Sequence, residues 1–137
     1  SGVIVPGDVV VVRNVGPKGG PGMPEMVMLT VELQGRGLGK AVALITDGRF
    51  SGVSHGILIG HICPEAADGG PLAAVRDGDT IVIDPVNRTL DVAIDDSELQ
   101  RRMSTVGPRD LPNTIPQGSV LRRYARHVSS AHYGCVQ

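Results

Sequence analysis

Two short glycine-rich loops, each set shortly after an apolar run, constrain this chain more than any other feature. The first is Gly16-Pro-Lys-Gly-Gly-Pro-Gly22, preceded by the β-branched run Val9 to Val12. The second is Asp47-Gly-Arg-Phe-Ser-Gly52, preceded by Ala41 to Thr46. Neither run alternates apolar with polar residues, which is the pattern of a strand covered on both faces. With 19 glycines and 10 prolines among 137 residues, the chain must carry many tightly shaped loops. Strand-like runs separate those loops, so they are not low-complexity linkers.

Further elements follow from local signals. Pro24 to about Leu33 places Met26, Leu29 and Leu33 at helical spacing, with Pro24 suited to the first turn and Glu25 complementing the helix dipole. Ile57 to Cys63 is apolar with strand character, and Pro64 to Ala67 reads as a helical turn. Arg76-Asp-Gly-Asp79 is a turn signal, and Thr80 to Asp84 with Thr89 to Ile94 reads as a hairpin around Pro85-Val-Asn87. Asp95 with Glu98 three residues on marks a capped helix to about Met103. Residues 104–137 read as an irregular Pro-rich segment, a helix capped by Ser119 and running to about Val128, and a loose tail. The expected architecture is mixed α/β, with a closed or nearly closed β-barrel-like sheet and a few helices.

Length and composition suit one domain able to bury a core without disulfides. The net charge of −1 and an aromatic content of 2% exclude a phosphate-binding or base-stacking surface, so no nucleic-acid partner is expected. No apolar run approaches the length of a membrane span, and no signal peptide is evident. Cys63 and Cys135 make no disulfide framework and point to a reducing compartment, Cys63 reading as a buried core thiol. Ser1-Gly2 reads as a cleavage scar ahead of a cut inside a larger protein, or else a mature N-terminus.

Several motifs fail on spacing. The glycines at 16, 19, 20 and 22 do not form a dinucleotide fingerprint, and Gly39-Lys40 lacks the hydroxyl residue of a phosphate loop. His55 and His61, six apart, suit neither a helix face nor a zinc finger, and read as structural or loop histidines. Ser51 is out of register for a nucleophile elbow, with no evident His–Asp pairing, which argues against a serine hydrolase. By itself Ser51 reads as a turn serine bonding its own backbone. Glu25 by itself reads as a dipole partner, although stiff flanking segments are what a metal-ligating carboxylate needs.

Taken together the loops are familiar. Gly16 to Met26, ending Met-Pro-Glu-Met, resembles the first C-terminal motif of the dihydroxy-acid dehydratase and phosphogluconate dehydratase family. Thr46-Asp-Gly-Arg-Phe-Ser-Gly52 resembles its second, and Cys63 to Leu72 and Asp77 to Asp84 follow in the family's order. The resemblance implies a swivelling β/β/α-type fold, with residues 1–137 forming a single C-terminal domain whose cluster-binding N-terminal domain is absent. It implies a hydro-lyase converting a 2,3-dihydroxy acid to a 2-keto acid, with branched-chain amino-acid synthesis favoured and a sugar-acid (aldonate) dehydratase as the alternative. It also implies an iron–sulfur cluster and Mg²⁺ held chiefly by the N-terminal domain, a homodimer, and a cytoplasmic location, or an organelle in a eukaryote.

By the same resemblance Ser51 is the catalytic base and Glu25 a Mg²⁺ ligand. Gly52 leaves room for a substrate carboxylate at the backbone amides, and Arg49 either pairs with that carboxylate or makes a structural salt bridge. A serine hydroxyl is far too weakly acidic to be an alkoxide at neutral pH unless adjacent cations lower its pKa by many units. The chain alone is therefore expected to hold an ordinary serine, and to be inactive. A stand-alone, non-catalytic binding module of the same fold is the competing reading.

Overall fold

A computed structural model describes residues 4–107 and 109–137. The expectation about Ser1-Gly2 lies outside the described residues. The principal elements are β1 (Val9–Val12), α1 (Val27–Gly35), β2 (Ala43–Thr46), β3 (Ile57–Ile59), β4 (Ile81–Asp84), β5 (Thr89–Val92), α2 (Asp96–Thr105) and α3 (Val120–His127). Single 3₁₀ turns occur at Ala66–Asp68, Pro71–Ala74 and Ala131–Tyr133.

β2 is the centre of the molecule. It lies between β1 and β3 in a parallel sheet of order β1-β2-β3, with Val9 opposite Ala43 and Ala43 opposite Ile57. All four of its residues are buried, as the unbroken apolar run predicts. Strand alternation sends neighbouring side chains to opposite faces. Leu44 packs with Leu33 of α1 and with Val42, Val10, Val12, Phe50 and Leu58. Ile45 packs with Ala66, Leu72, Val9, Val11 and the hairpin residues Ile81 and Ile83. The parallel sheet is thus covered by α1 on one face and by the β4–β5 hairpin and 3₁₀ turns on the other. Each fully buried aliphatic side chain contributes about 1.5–3 kcal/mol.

The closed or nearly closed barrel-like sheet is not observed. Among the described residues β1-β2-β3 and β4-β5 are separate sheets, the second an antiparallel hairpin. Among the described residues no strand bridges the outer edge of β1 to β4. A groove of about 620 Å³ lies there, lined by Val9, Val11, Arg76, Thr80 and Ile81 among others. For the same reason β1 is only half-buried along its length, not covered on both faces.

Helix α1 begins at Val27, not Pro24, because Glu25 is taken into a β-bridge with Arg49. Glu25 therefore does not serve the helix dipole. Asp95 occupies the N-cap position of α2, but its side chain makes no capping bond. Glu98 instead accepts from Arg101 and Arg102, and Arg102 also donates to Asp79 at 2.5 Å, tying α2 to the turn before β4. Ser119 does cap α3, accepting from the Arg122 amide at 3.3 Å. Arg122 donates to the carbonyls of Ile115 and Pro112, which folds part of the irregular segment onto α3. The tail is more ordered than expected, with the Ser129 amide donating to the Val136 carbonyl. Cys63 is exposed, not a core thiol, since it lies in the loop after β3, which stops at Ile59.

Candidate active site

The two glycine-rich loops meet. Glu25, just past the first, forms a parallel β-bridge with Arg49 in the second. The Arg49 Nε donates to the Met23 carbonyl at 2.5 Å, so the side chain reinforces what the backbone pairing begins. Ser51 follows Arg49 by two residues, a reach of at most about 7 Å. The backbone at Glu25 and the backbone at Ser51, far apart in sequence, are thereby brought near one another. Glu25 is exposed and Ser51 half-buried.

The Ser51 loop is anchored on every side. Gly48 is buried, its amide donating to Thr46 Oγ1 at 2.9 Å and its carbonyl accepting from the His61 amide at 2.8 Å. A side chain at position 48 would press on Val15, with a Cβ 2.8 Å from Val15 Cγ2 and 3.0 Å from its carbonyl oxygen, so glycine suits this close approach. Phe50 packs against the Leu33–Val42–Leu44 cluster. Beyond Ser51, Thr30 Oγ1 lies 3.5 Å from Ser54 Oγ, and Gln34 donates to the His55 carbonyl. Both contacts tie the loop to α1. Such support from packed elements holds a constellation better than free loops do.

The Ser51 hydroxyl accepts from the Val53 amide at 3.3 Å, the backbone turn bond that its residue type alone suggests. Gly52 is exposed, and a Cβ built on it would meet nothing within 4 Å, so there is open space beside its backbone. Arg49 is engaged with a carbonyl in place of the salt bridge considered from sequence. His55 and His61 are both exposed and sit in loops. The cavities of about 620, 220 and 530 Å³ are lined by other residues.

Sequence reasoning passed over two acids that lie behind the loops. Asp47 is 1% exposed and Glu65 4%. Both accept hydrogen bonds from the backbone of the first loop or its approach. Burial is the main cause that pushes the Glu65 carboxyl above its ordinary value, against the amides of Gly19 and Lys18, which lower it. The signal that could have found them is position: each acid follows or precedes a glycine-rich turn with no adjacent lysine or arginine in sequence.

Among the described residues no group of three histidine, cysteine, aspartate or glutamate side chains could hold a metal ion. Glu25 alone does not make a Mg²⁺ site, which takes several oxygen ligands. Cys63 and Cys135 fall short of the thiolates an iron–sulfur cluster needs. The chain can offer one ligand to a shared site but does not by itself fit either group. Among the described residues no helix is long and apolar enough to cross a membrane.

A family model described as dihydroxy-acid/6-phosphogluconate dehydratase C-terminal matches residues 1–135. The chain is 54% identical over 136 residues to a dihydroxy-acid dehydratase of Flavobacterium psychrophilum, covering 99% of the chain. It is 55% identical over 135 residues to that of Aeropyrum pernix, covering 98% of the chain. It is 56% identical over 129 residues to the mitochondrial dihydroxy-acid dehydratase of Saccharomyces cerevisiae, covering 93% of the chain. The chain spans about a quarter of the length of these relatives, 24%, 24% and 21% in turn, and corresponds to their C-terminal part. This chain belongs to the dihydroxy-acid/6-phosphogluconate dehydratase C-terminal family.

Proposed function

We propose that residues 1–137 are the C-terminal domain of a dihydroxy-acid dehydratase, a hydro-lyase that converts a 2,3-dihydroxy acid to a 2-keto acid in branched-chain amino-acid synthesis. The observation that carries this reading is the Glu25–Arg49 bridge, which brings the Met-Pro-Glu-Met and Gly-Arg-Phe-Ser-Gly loops to one corner. A domain of the swivelling β/β/α type is consistent with the order of layers: helix, parallel sheet, hairpin.

In this reading Ser51 takes the proton from C2 of the substrate. The C2–H electron pair becomes the C2–C3 double bond. The C3 hydroxide departs and takes up the proton that deprotonated Ser51 abstracted, leaving as water and regenerating the base, and the enol product tautomerises to the 2-keto acid. Gly52 leaves open space in which the substrate carboxylate reaches backbone amides. Glu25 supplies one oxygen ligand to a Mg²⁺ whose other ligands, with those of an iron–sulfur cluster, belong to the preceding domain of the same polypeptide. When bound, these cations would acidify the Ser51 hydroxyl and stabilise the developing enolate and the leaving hydroxyl. Arg49 holds the Met23 carbonyl and contributes to substrate binding through its remaining guanidinium nitrogens. The surface carrying Glu25 and Ser51 is then half of a site, closed by the N-terminal domain within a homodimer. The location is cytoplasmic, or mitochondrial as the name of the Saccharomyces cerevisiae relative has it for that protein.

The test uses the full-length enzyme. Ser51→Ala is expected to lower kcat by about 10²–10⁴, the usual contribution of a positioned base. Glu25→Gln should raise the Mg²⁺ requirement. A panel of branched-chain dihydroxy acids and aldonates separates the favoured substrate from the sugar-acid alternative. Near-normal turnover by Ser51→Ala would contradict the assignment of the base.

A further inference from the structure

The first loop is gripped from below by the two buried acids. Asp47 Oδ2 accepts from the amides of Asn14 and Ala66, each at 2.9 Å, and its Oδ1 accepts from the Val15 amide at 3.0 Å. Glu65 Oε1 accepts from the Lys18 amide and its Oε2 from the Gly19 amide, both at 2.8 Å. All five of these donors are backbone amides. The Lys18 ammonium is turned away, donating to Asp68. Gly16 is wedged between the acids: a Cβ there would stand 2.7 Å from Glu65 Oε2 and 3.0 Å from the Asp47 carbonyl oxygen.

Burying a carboxylate is costly, and it is tolerated when charge-assisted hydrogen bonds replace its water. A core serving stability alone is better filled with apolar groups. What five amides on two carboxylates supply is direction, because each acceptor fixes the place of one peptide plane. The chain path makes that direction useful. Asn14 and Val15 lead into the first loop, and Lys18 and Gly19 are its middle. The loop ends at Met23, whose carbonyl takes Arg49, and at Glu25, which pairs with Arg49. Asp47 itself lies two residues before Arg49, in the second loop. One side chain therefore belongs to the second loop and holds the entry to the first.

We propose that Asp47, with Glu65 beneath the same loop, is a positioning residue: it sets the register of the Glu25 loop against the Ser51 loop. The proposal rests on the active-site reading given above. Neither acid touches substrate; each acts through the backbone it holds. Aspartate at 47 must offer two acceptor oxygens to three amides. Asparagine offers one, and turns an NH₂ toward a backbone N–H.

The test is Asp47→Asn and Asp47→Glu in the full-length enzyme, read against Ser51→Ala and Glu25→Gln. Asp47→Asn is expected to lower kcat per folded enzyme about 100-fold, the effect of a misplacement near 1 Å. It should also raise the half-saturating Mg²⁺ concentration about 10–100-fold. KM for the dihydroxy acid should change little, and Asp47→Glu should not rescue. Hydrogen exchange supplies a readout independent of turnover: the amides of Asn14, Val15 and Ala66 should exchange faster in Asp47→Asn, while those of β2 stay protected. Loss of activity only in proportion to unfolded protein, with the Mg²⁺ requirement unchanged, overturns the proposal. If Ser51→Ala and Glu25→Gln are both fully active, it is the active-site reading that fails, and the exchange data still decide whether Asp47 fixes the loop. Should Asp47→Asn not fold, Glu65→Gln carries the same test, with Lys18 and Gly19 as the reporting amides and the same two outcomes.

Discussion

Gly69 and Gly70 are adjacent glycines required for different reasons, and their alanine variants should differ sharply. Gly69 has φ +79 and closes the 3₁₀ turn Ala66–Asp68, but a Cβ there would meet nothing within 4 Å. Gly69→Ala should therefore cost about 1–2 kcal/mol, the price of one left-handed residue. Gly70 has φ −67 and ψ 161, a conformation any residue adopts. Its Cβ, however, would collide with the Pro64 carbonyl oxygen and lie 2.5 Å from that carbonyl carbon and 2.9 Å from the Glu65 carbonyl oxygen. These are backbone atoms, so no rotamer change relieves the clash. Overpacking costs about 1–3 kcal/mol. Moving Gly70 also weakens its amide's bond to the Glu65 carbonyl at 2.9 Å and the Ala73 amide's bond to its own carbonyl at 2.9 Å, at about 1 kcal/mol each. The sum is about 3–5 kcal/mol, a large part of the stability of a domain this size. At about 3–4 °C per kcal/mol, the melting temperature should fall by about 9–20 °C, against about 3–8 °C for Gly69→Ala. Thermal and urea unfolding followed by circular dichroism measure both. A Gly70→Ala variant that melts within about 2 °C of the parent, or above Gly69→Ala, would refute the packing of the Glu65 segment that this reasoning uses.

Leu44→Ala removes the centre of the α1-facing cluster, where Leu44 is 1% exposed, and should cost about 3–5 kcal/mol by urea unfolding. Ser119→Ala should cost about 1 kcal/mol through loss of the α3 cap, read in the same assay. The pH dependence of stability should show two opposite contributions. Glu65 is held above its ordinary value of 4.5, mainly by burial, so its contribution is fullest below 4.5 and is lost as pH rises through the folded value; Glu65→Gln should remove that decline. Glu98 is lowered to about 2 by hydrogen bonds from Arg101 and Arg102, so its contribution is present above 4.5 and lost as pH falls toward about 2. Arg102→Met should shrink that acid-side loss in a urea-midpoint series against pH. Finally, Mg²⁺ should leave the melting temperature of the isolated chain unchanged, since Glu25 is exposed and no three-ligand group accompanies it among the described residues. A rise of several degrees at millimolar Mg²⁺ would contradict this.

The amino-acid sequence by itself determined the local elements whose signals are short-range. The β-branched run made β1, the unbroken apolar run made β2, Pro85-Val-Asn87 made the hairpin turn, and Ser119 made the start of α3. It also marked the two glycine-rich loops, because their spacing is a property of order along the chain. Tertiary structure alone decided that Glu25 leaves the expected helix to pair with Arg49, that Cys63 faces solvent, and that the strands form two sheets instead of one closed one. It decided the work of Asp47 and Glu65 as well, whose partners in the first loop lie 32 to 47 residues away. The physical reason is the range of the forces. Propensity, capping and turn geometry act over a few residues and leave a mark in composition. A buried carboxylate, by contrast, has no fixed partner until the chain has folded, and it takes whichever amides the fold brings within hydrogen-bonding distance.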